Sequence, residues 1–377
     1  MTISKFSFPT DIRFGAGASS GVGDHLREIG LTRPLVVTDK VLAALPLLKN
    51  FVAQLGAGLE THVFAGVQGN PTAAQVMQGR DAYRTHRADS VIGIGGGAAL
   101  DVAKAVALMA VHDGDVLEYA WDHPQAREIT SPLPYIVAVP TTSGTGSEVG
   151  RSSVVSDDKT HIKQVIFSPK LLAKVVFADP ELTLDLPPNV TAATGMDALT
   201  HNIESYLSPA FHPLCDGIAL EGVRVAARSL RTAVKDGRNL NARADMMMAS
   251  MMGAIAFQKD LGAVHSCAHA LGAVCDLHHG LANALMLEPV MRFNLGAARE
   301  KFAELAHAVK AGSADDFIPW LVQLKRDIGI APSLSAVGVQ KAQVPQLVDI
   351  AEKDICHQTN PRPCTRSDFE RFFAEAL

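Results

Sequence analysis

Histidines and one aspartate in the second half of the chain stand at spacings that suit a shared metal ion. Asp197 and His201 are four residues apart in GMDALTHNIE, and His265 and His269 repeat that interval in AVHSCAHALG. A four-residue step on a helix puts both side chains on one face, one turn apart. One such pair is more often a satisfied core or surface residue than a ligand; two pairs, followed by His278, His279 and Gly280, shift the balance towards a site. His265 and His279 are 14 residues apart, which on one straight helix is about 21 Å, whereas ligands of one ion each approach it to about 2.0–2.2 Å. The chain must therefore reverse between them, and Gly272 and Asp276 mark where that turn could lie. Spacing alone leaves open whether His269, His278 or His279 completes a set begun by Asp197, His201 and His265. Three imidazoles with one carboxylate suit Fe²⁺ or Zn²⁺, and such an ion would act as a Lewis acid on a substrate oxygen.

A second group of residues reads as a nucleotide cradle. The run VIGIGGG (91–97) ends as a strand at Ile94, after which Gly95, Gly96 and Gly97 form a turn whose bare backbone can approach a pyrophosphate. The helix that starts near Ala98 then offers its amides and dipole. Gly93, Gly95 and Ala98 also fit GxGxxG/A, with Asp113 and Asp115 at about the right distance. That match fails because LDVAKAVALMAVH, which leads to Asp113, reads as one helix with no room for the required strand. PTTSGTGSE (140–148), after the strand YIVAVP, supplies hydroxyls for phosphate or ribose oxygens. Asp39 closes the strand LVVTD, where a carboxylate can accept from a ribose 2′-hydroxyl and repel a 2′-phosphate, favouring NAD over NADP. Its plainer reading is a helix cap.

The elements that position these residues differ between the two halves. Up to about residue 186, short β-branched runs alternate with helical patterns, the mark of a parallel α/β layer. After Pro187 and Pro188 the chain becomes a succession of Ala/Leu/Met-rich helical segments, and the run Met246–Met248 with Met251 and Met252 reads as helix core. Two domains are expected: 1–186, an α/β dinucleotide-binding domain, and 187–377, an all-helical domain. With 377 residues, 47% of them hydrophobic, each half can bury its own core. A net charge of −5 without a basic block gives no footprint for nucleic acid or an anionic membrane, so the partner expected is a small molecule. The start of the chain lacks a basic patch followed by an apolar core, no apolar run reaches 18 residues, and the five cysteines form no CxxC pair. A cytoplasmic location with reduced thiols is expected.

With these motifs in order, GGGAALDVAK, PTTSGTGSE, DPELT, TGMDALTHNIE and HSCAHALGAVCDLHHG, nearly the whole chain resembles the iron-containing (group III) alcohol dehydrogenases. The resemblance implies a two-domain fold like that of dehydroquinate synthase and glycerol dehydrogenase, with the active site in the cleft between domains. It implies Asp197, His201, His265 and His279 as metal ligands, which releases His269 as a proton carrier near the substrate. NAD contacts carry over to Asp39, Asn70, Gly96, Gly97, Ala98, Thr141, Thr142, Thr145, Lys163 and Leu182. The cofactors implied are NAD and Fe²⁺, with Zn²⁺ as the other metal, in a homo-oligomer expected to be a dimer. Ala98 replaces the serine usual in the family, His278 stands where many relatives have proline, and Val149-Gly150-Arg151 departs from the common threonine. SEV-x-R is similar to members that oxidise 4-hydroxybutyrate, where Arg151 could clamp a substrate carboxylate; its plainer reading is a salt bridge to Asp157 or Asp158. The reaction expected is hydride transfer between NAD and a primary alcohol or ω-hydroxy acid. A maleylacetate-reductase-like enzyme and a non-redox dehydroquinate-synthase-like lyase are the alternatives.

Overall fold

In the computed structural model, which describes residues 6–8, 10–160 and 162–377, the chain divides into two compact units. One comprises Phe8–Thr142 and Gly146–Thr183; the other comprises Leu184–Leu377 with Ser143–Thr145 and the described residues up to Ser7. The division at Thr183 falls close to the expected boundary at 186, but three residues of the PTTSGTGSE loop cluster with the later unit.

The first unit holds strands β1 (Asp11–Phe14), β2 (Pro34–Asp39), β3 (His62–Val67), β4 (Ser90–Gly95), β5 (Tyr135–Pro140), β6 (Ser152–Ser156), β7 (Lys163–Phe167) and β8 (Val175–Ala178). Six of them make a parallel sheet in the order β1-β8-β5-β4-β2-β3, and β6 with β7 makes a separate antiparallel ribbon. Every residue of β4 is buried, as expected for a parallel strand covered on both faces, which is why it reads as a continuous apolar run. Helices α1 (Val22–Glu28), α2 (Lys40–Ala43), α3 (Pro46–Gln54), α4 (Ala73–His86) and α5 (Gly97–Ala110) connect the strands. Because α5 occupies the whole stretch to Ala110, no strand precedes Asp113 there.

The second unit is built of α6 (Pro188–Leu207), α7 (Pro213–Lys235), α8 (Leu240–Ala256), α9 (Ala263–Cys275), α10 (His279–Asn294), α11 (Arg299–Ala308), α12 (Phe317–Asp327), α13 (Val344–Ala351) and α14 (Arg366–Ala376). It has no strand among the described residues. Its central rod is α6, buried along almost its full length and packed against α7, α8 and α10. Met246, Met247 and Met251 of α8 are buried, as their apolar spacing predicts. Among the described residues, no helix is long and apolar enough to cross a membrane.

Candidate functional site

The carboxylate and three of the histidines meet inside the helical unit. Asp197 and His201 project one turn apart from α6, His265 and His269 from α9, and His279 is the first residue of α10. The required reversal is made by Asp276, which caps α9 in the left-handed region with φ 50°, while its amide donates to the Leu271 carbonyl. Gly272 is not the turn, since α9 runs through it to Cys275. One glycine is needed for the approach of α10 to α6. A Cβ on Gly280 would lie 2.2 Å from the Ala193 carbonyl oxygen, so any side chain there would push the helices apart.

Asp197 Oδ1 lies 3.8 Å from His201 Nε2, 4.0 Å from His265 Nε2 and 3.6 Å from His279 Nε2. One ligand atom from each of the four residues lies within 4.8 Å of every other. Bonds of about 2.0–2.2 Å to a tetrahedral ion would put ligand atoms about 3.3–3.6 Å apart, so the Asp197–His distances need to close by at most a few tenths of an ångström. His278 is exposed and outside this group, whereas His279 lies within it.

The chemistry of the donor set also fits a cation. Asn283 Nδ2 lies 2.7 Å from Asp197 Oδ1, 3.3 Å from His265 Nε2 and 3.2 Å from His279 Nε2, so the lone pairs of three residues converge on one point. His265 Nδ1 donates to Glu204 Oε2 at 2.5 Å, while Glu204 Oε1 accepts from the Val264 amide at 2.8 Å. This carboxylate fixes the proton on Nδ1 and leaves Nε2 for coordination. The His201 ring stacks on that of His265 at 4.8 Å and 15°. Burial pushes the His201 imidazole down to about 4, opposed by Asp197, so it is the neutral form that a ligand needs. His269 stands apart from the quartet: its Nδ1 donates to Asp354 Oδ2 at 2.7 Å, and its ring stacks on His279 at 5.5 Å.

In the α/β unit, the carboxyl ends of neighbouring strands β2, β4 and β5 bring Asp39, Gly95–Gly97 and Thr141–Thr142 together. The Thr141 amide donates to the Gly95 carbonyl at 2.9 Å. Gly95 has φ +146°, and a Cβ there would meet Ala99 Cβ at 2.7 Å, so this turn demands glycine. Asp39, Lys40, Val67, Gln68, Gly96 and Ala98 line a cavity at this edge. Asp39 is also an N-cap, its Oδ1 accepting from the Leu42 amide at 2.8 Å, so the plainer reading of that residue is observed and leaves Oδ2 outside the cap. Asn70 follows β3, Lys163 opens β7 and Leu182 lies in the short turn after β8, outside this cavity lining; Thr145 clusters with the helical unit.

Arg151 makes no ion pair with a carboxylate among the described residues. Its guanidinium lies over the Phe167 ring at 5.3 Å, while Asp157 accepts from the Lys159 and Thr160 amides and Asp158 from the Ala74 amide. The salt bridge considered for it is therefore absent there.

Several residues of these networks carried no role in the sequence reading. Asp101 accepts from Ser147 Oγ at 2.5 Å, Lys104 Nζ at 3.0 Å and the Val154 amide at 3.0 Å, tying α5 to the residues after the second loop. Asp101, Lys104 and Glu204 all lie within quoted motifs, which was the available signal. Asn283 stands one helical turn after His279, the spacing that marked the other pairs, and Asp354 had no such signal.

A convergent three-imidazole, one-carboxylate cluster in one chain with a glycine cradle on a parallel sheet is an arrangement that comparison with known proteins can place. Residues 9–180 match the model for iron-containing alcohol dehydrogenase, and residues 191–377 match that for the C-terminal part of the Fe-containing alcohol dehydrogenase family. The chain belongs to the iron-containing alcohol dehydrogenase family and is an oxidoreductase. It is 38% identical to the 4-hydroxybutyrate dehydrogenase of Cupriavidus necator, over 98% of each chain. Among solved structures it is similar to a 1,3-propanediol oxidoreductase, with a TM-score of 0.95, 38% identity and 100% of each chain covered. A sulfoacetaldehyde reductase from Bifidobacterium kashiwanohense, solved in complex with NAD⁺, superposes with a TM-score of 0.91 at 28% identity, covering 100% of this chain and 99% of that one.

Proposed function

We propose that this protein catalyses reversible, metal-dependent hydride transfer between NAD and a primary alcohol or ω-hydroxy acid, with the aldehyde as the oxidised partner. The observation that carries this reading is the convergence of the Asp197 carboxylate with the imidazoles of His201, His265 and His279 in the helical unit. These four residues hold Fe²⁺, with Zn²⁺ as the alternative ion. When bound, the ion supplies Lewis acidity at the substrate oxygen. The chain's own residues do the rest. Asp39 accepts from the adenosine ribose; Gly96, Gly97 and Ala98 offer backbone to the pyrophosphate; Thr141, Thr142 and Thr145 donate hydroxyls; Asn70, Lys163 and Leu182 complete the NAD contacts. His269 carries the proton between substrate hydroxyl and solvent. A soluble enzyme of the cytoplasm suits its five free cysteines.

The substrate class favoured is an ω-hydroxy acid of the 4-hydroxybutyrate type, oxidised to the semialdehyde. Arg151 supports it, because its guanidinium is stacked on Phe167 without a carboxylate partner among the described residues, and a substrate carboxylate would suit such a fork. The 4-hydroxybutyrate dehydrogenase named above is a relative along the whole chain. The deciding experiment strips the protein of metal with a chelator and reloads it with Fe²⁺ or Zn²⁺, following NADH with a panel of C2–C6 alcohols, diols and ω-hydroxy acids. Turnover is expected to vanish and return with the ion. Full activity in stripped protein would instead favour a maleylacetate-reductase-like enzyme, and no net NADH from any alcohol would favour a non-redox lyase.

A further inference from the structure

Asp354 lies in AEKDICHQTN, between α13 and α14, a segment that the proposed reaction does not use. Its carboxylate gathers donors from three directions. Oδ2 accepts from His269 Nδ1 at 2.7 Å; Oδ1 accepts from Ser266 Oγ and from the Cys356 amide, each at 2.9 Å. Ser266 Oγ in turn accepts from the His357 amide at 2.9 Å. Two further bonds fasten the segment to the start of α9. Thr359 Oγ1 donates to the Leu261 carbonyl at 2.7 Å, and the Ala263 amide donates to Asn360 Oδ1 at 3.3 Å. The acid is thus delivered to His269 by tertiary structure, across 85 residues of sequence.

His269, Asp354 and Cys356 also have the donor atoms of a second metal site, within 4.8 Å of one another. That reading loses to a simpler one. Both oxygens of Asp354 already accept from donors, and burial pushes the Cys356 thiol well up, so it stays protonated. The trio is better described as an anion orienting an imidazole. We infer that Asp354 is a positioning residue that fixes the tautomer and ring orientation of His269. Burial alone would raise the Asp354 carboxyl, but the charge and hydrogen bond of His269, the Cys356 amide and the Ser266 hydroxyl outweigh it and hold it below the usual carboxylate range. An ionised carboxylate has no proton to give, so the shared hydrogen resides on Nδ1. Nε2 is then the nitrogen that exchanges a proton with substrate. The ring plane is set at 17° to His279 and 73° to His265, and a flip about its axis would break the bond to Asp354.

This inference rests on the reading of His269 as the proton carrier, and its test separates the two. The zinc-loaded protein with NAD, labelled with ¹⁵N-histidine, gives the His269 tautomer by long-range nitrogen–proton correlation, and steady-state kinetics are measured on the same material. Asp354→Asn can donate to Nδ1 instead of accepting from it. It is expected to move the His269 proton towards Nε2 and to lower kcat roughly 10- to 100-fold, with metal content and the KM for NAD unchanged. His269→Ala should be slowed at least as much, and the double variant no further. Ser266→Ala, which removes one donor and keeps the carboxylate, should give a smaller loss in the same direction and serves if Asp354→Asn does not fold. A slow His269→Ala beside an Asp354→Asn with wild-type rate and tautomer overturns the role of Asp354. A wild-type rate in His269→Ala overturns the proton-carrier reading, and the tautomer spectrum then decides alone whether Asp354 sets the ring.

Discussion

The two units of this protein build their candidate sites from different material. In the α/β unit the candidate groups are largely backbone, namely Gly95–Gly97, the amides at the start of α5 and the first residues after β5, each contributed by a short continuous motif. In the helical unit they are side chains, brought together from α6, α9 and α10, with Glu204 and Asp354 bonded to the far ring nitrogens of His265 and His269 and Asn283 facing three of the converging atoms. The buried carboxylates differ in donor supply, and the difference does not follow the units: Asp179 of the α/β unit accepts from the Gly17, Ser19 and Glu181 amides and from Ser19 Oγ. Glu204 and Asp354 each accept from two or more donors, and Asp197 accepts from Asn283. Glu148, buried in the α/β unit, has one carboxyl oxygen without a partner. Burial pushes its carboxyl up to about 7, despite Lys104 nearby. A carboxylate supplied with donors can stay charged and orient an imidazole; a fully buried one with an oxygen left unpartnered keeps its proton to higher pH.

The comparison can be broken first at Glu148. Its value of about 7 in the folded protein exceeds the ordinary 4.5, so between those pH values the folded chain binds a proton that the unfolded chain has released. Stability from this group is therefore full below about pH 4.5, falls as pH rises through about 7, and is level above. Full burial makes the difference between the two plateaus on the order of 3 kcal/mol. Chemical denaturation at pH 5 and pH 8 should show a drop in the wild type that Glu148→Gln lacks. Parallel drops in both proteins would assign the titration elsewhere.

A smaller effect is expected at Glu204. Replacing it with Gln removes the anion behind His265 while keeping shape, and metal affinity measured by competition with a chromophoric chelator should weaken roughly 10- to 100-fold. NAD affinity should not move. An unchanged metal affinity would make Glu204 a structural residue of the α6–α9 contact only. The smallest stability effect belongs to Asp39→Gly, where losing the cap of the short helix α2 costs only a few tenths of a kcal/mol. Its readout is selectivity: the preference for NAD over NADP should relax by about tenfold or more. Unchanged selectivity would leave Asp39 as a cap alone.

How far each site could be read in advance follows from the same contrast. A backbone cradle needs particular residues in one continuous run, because glycine is required where φ is positive or a Cβ would clash, as at Gly95. Such a run is visible in a linear sequence. The four-residue spacings of Asp197 with His201 and of His265 with His269 are visible for a related reason, since helical periodicity converts sequence distance into a shared face. Between helices no such rule operates. Periodicity required a reversal between His265 and His279 but placed it no better than Gly272 or Asp276, and the fold chose Asp276. Likewise spacing leaves His278 and His279 equivalent; in three dimensions the half-buried His279 lies with Asp197, His201 and His265, while His278 is exposed.

The sequence by itself therefore determined the α/β-then-helical order, the glycine turn and the two helix-borne pairs, Asp197 with His201 and His265 with His269, because each is a local pattern of residue type and spacing. Only the tertiary structure decided that Glu204 would stand behind His265, that Asn283 would face three ligands, and that Asp354 would reach His269. Those partners lie 61, 86 and 85 residues apart for Glu204–His265, Asn283–Asp197 and Asp354–His269 respectively. Nothing in local propensity links residues at such separations; helix packing does, and with it which side-chain lone pairs converge.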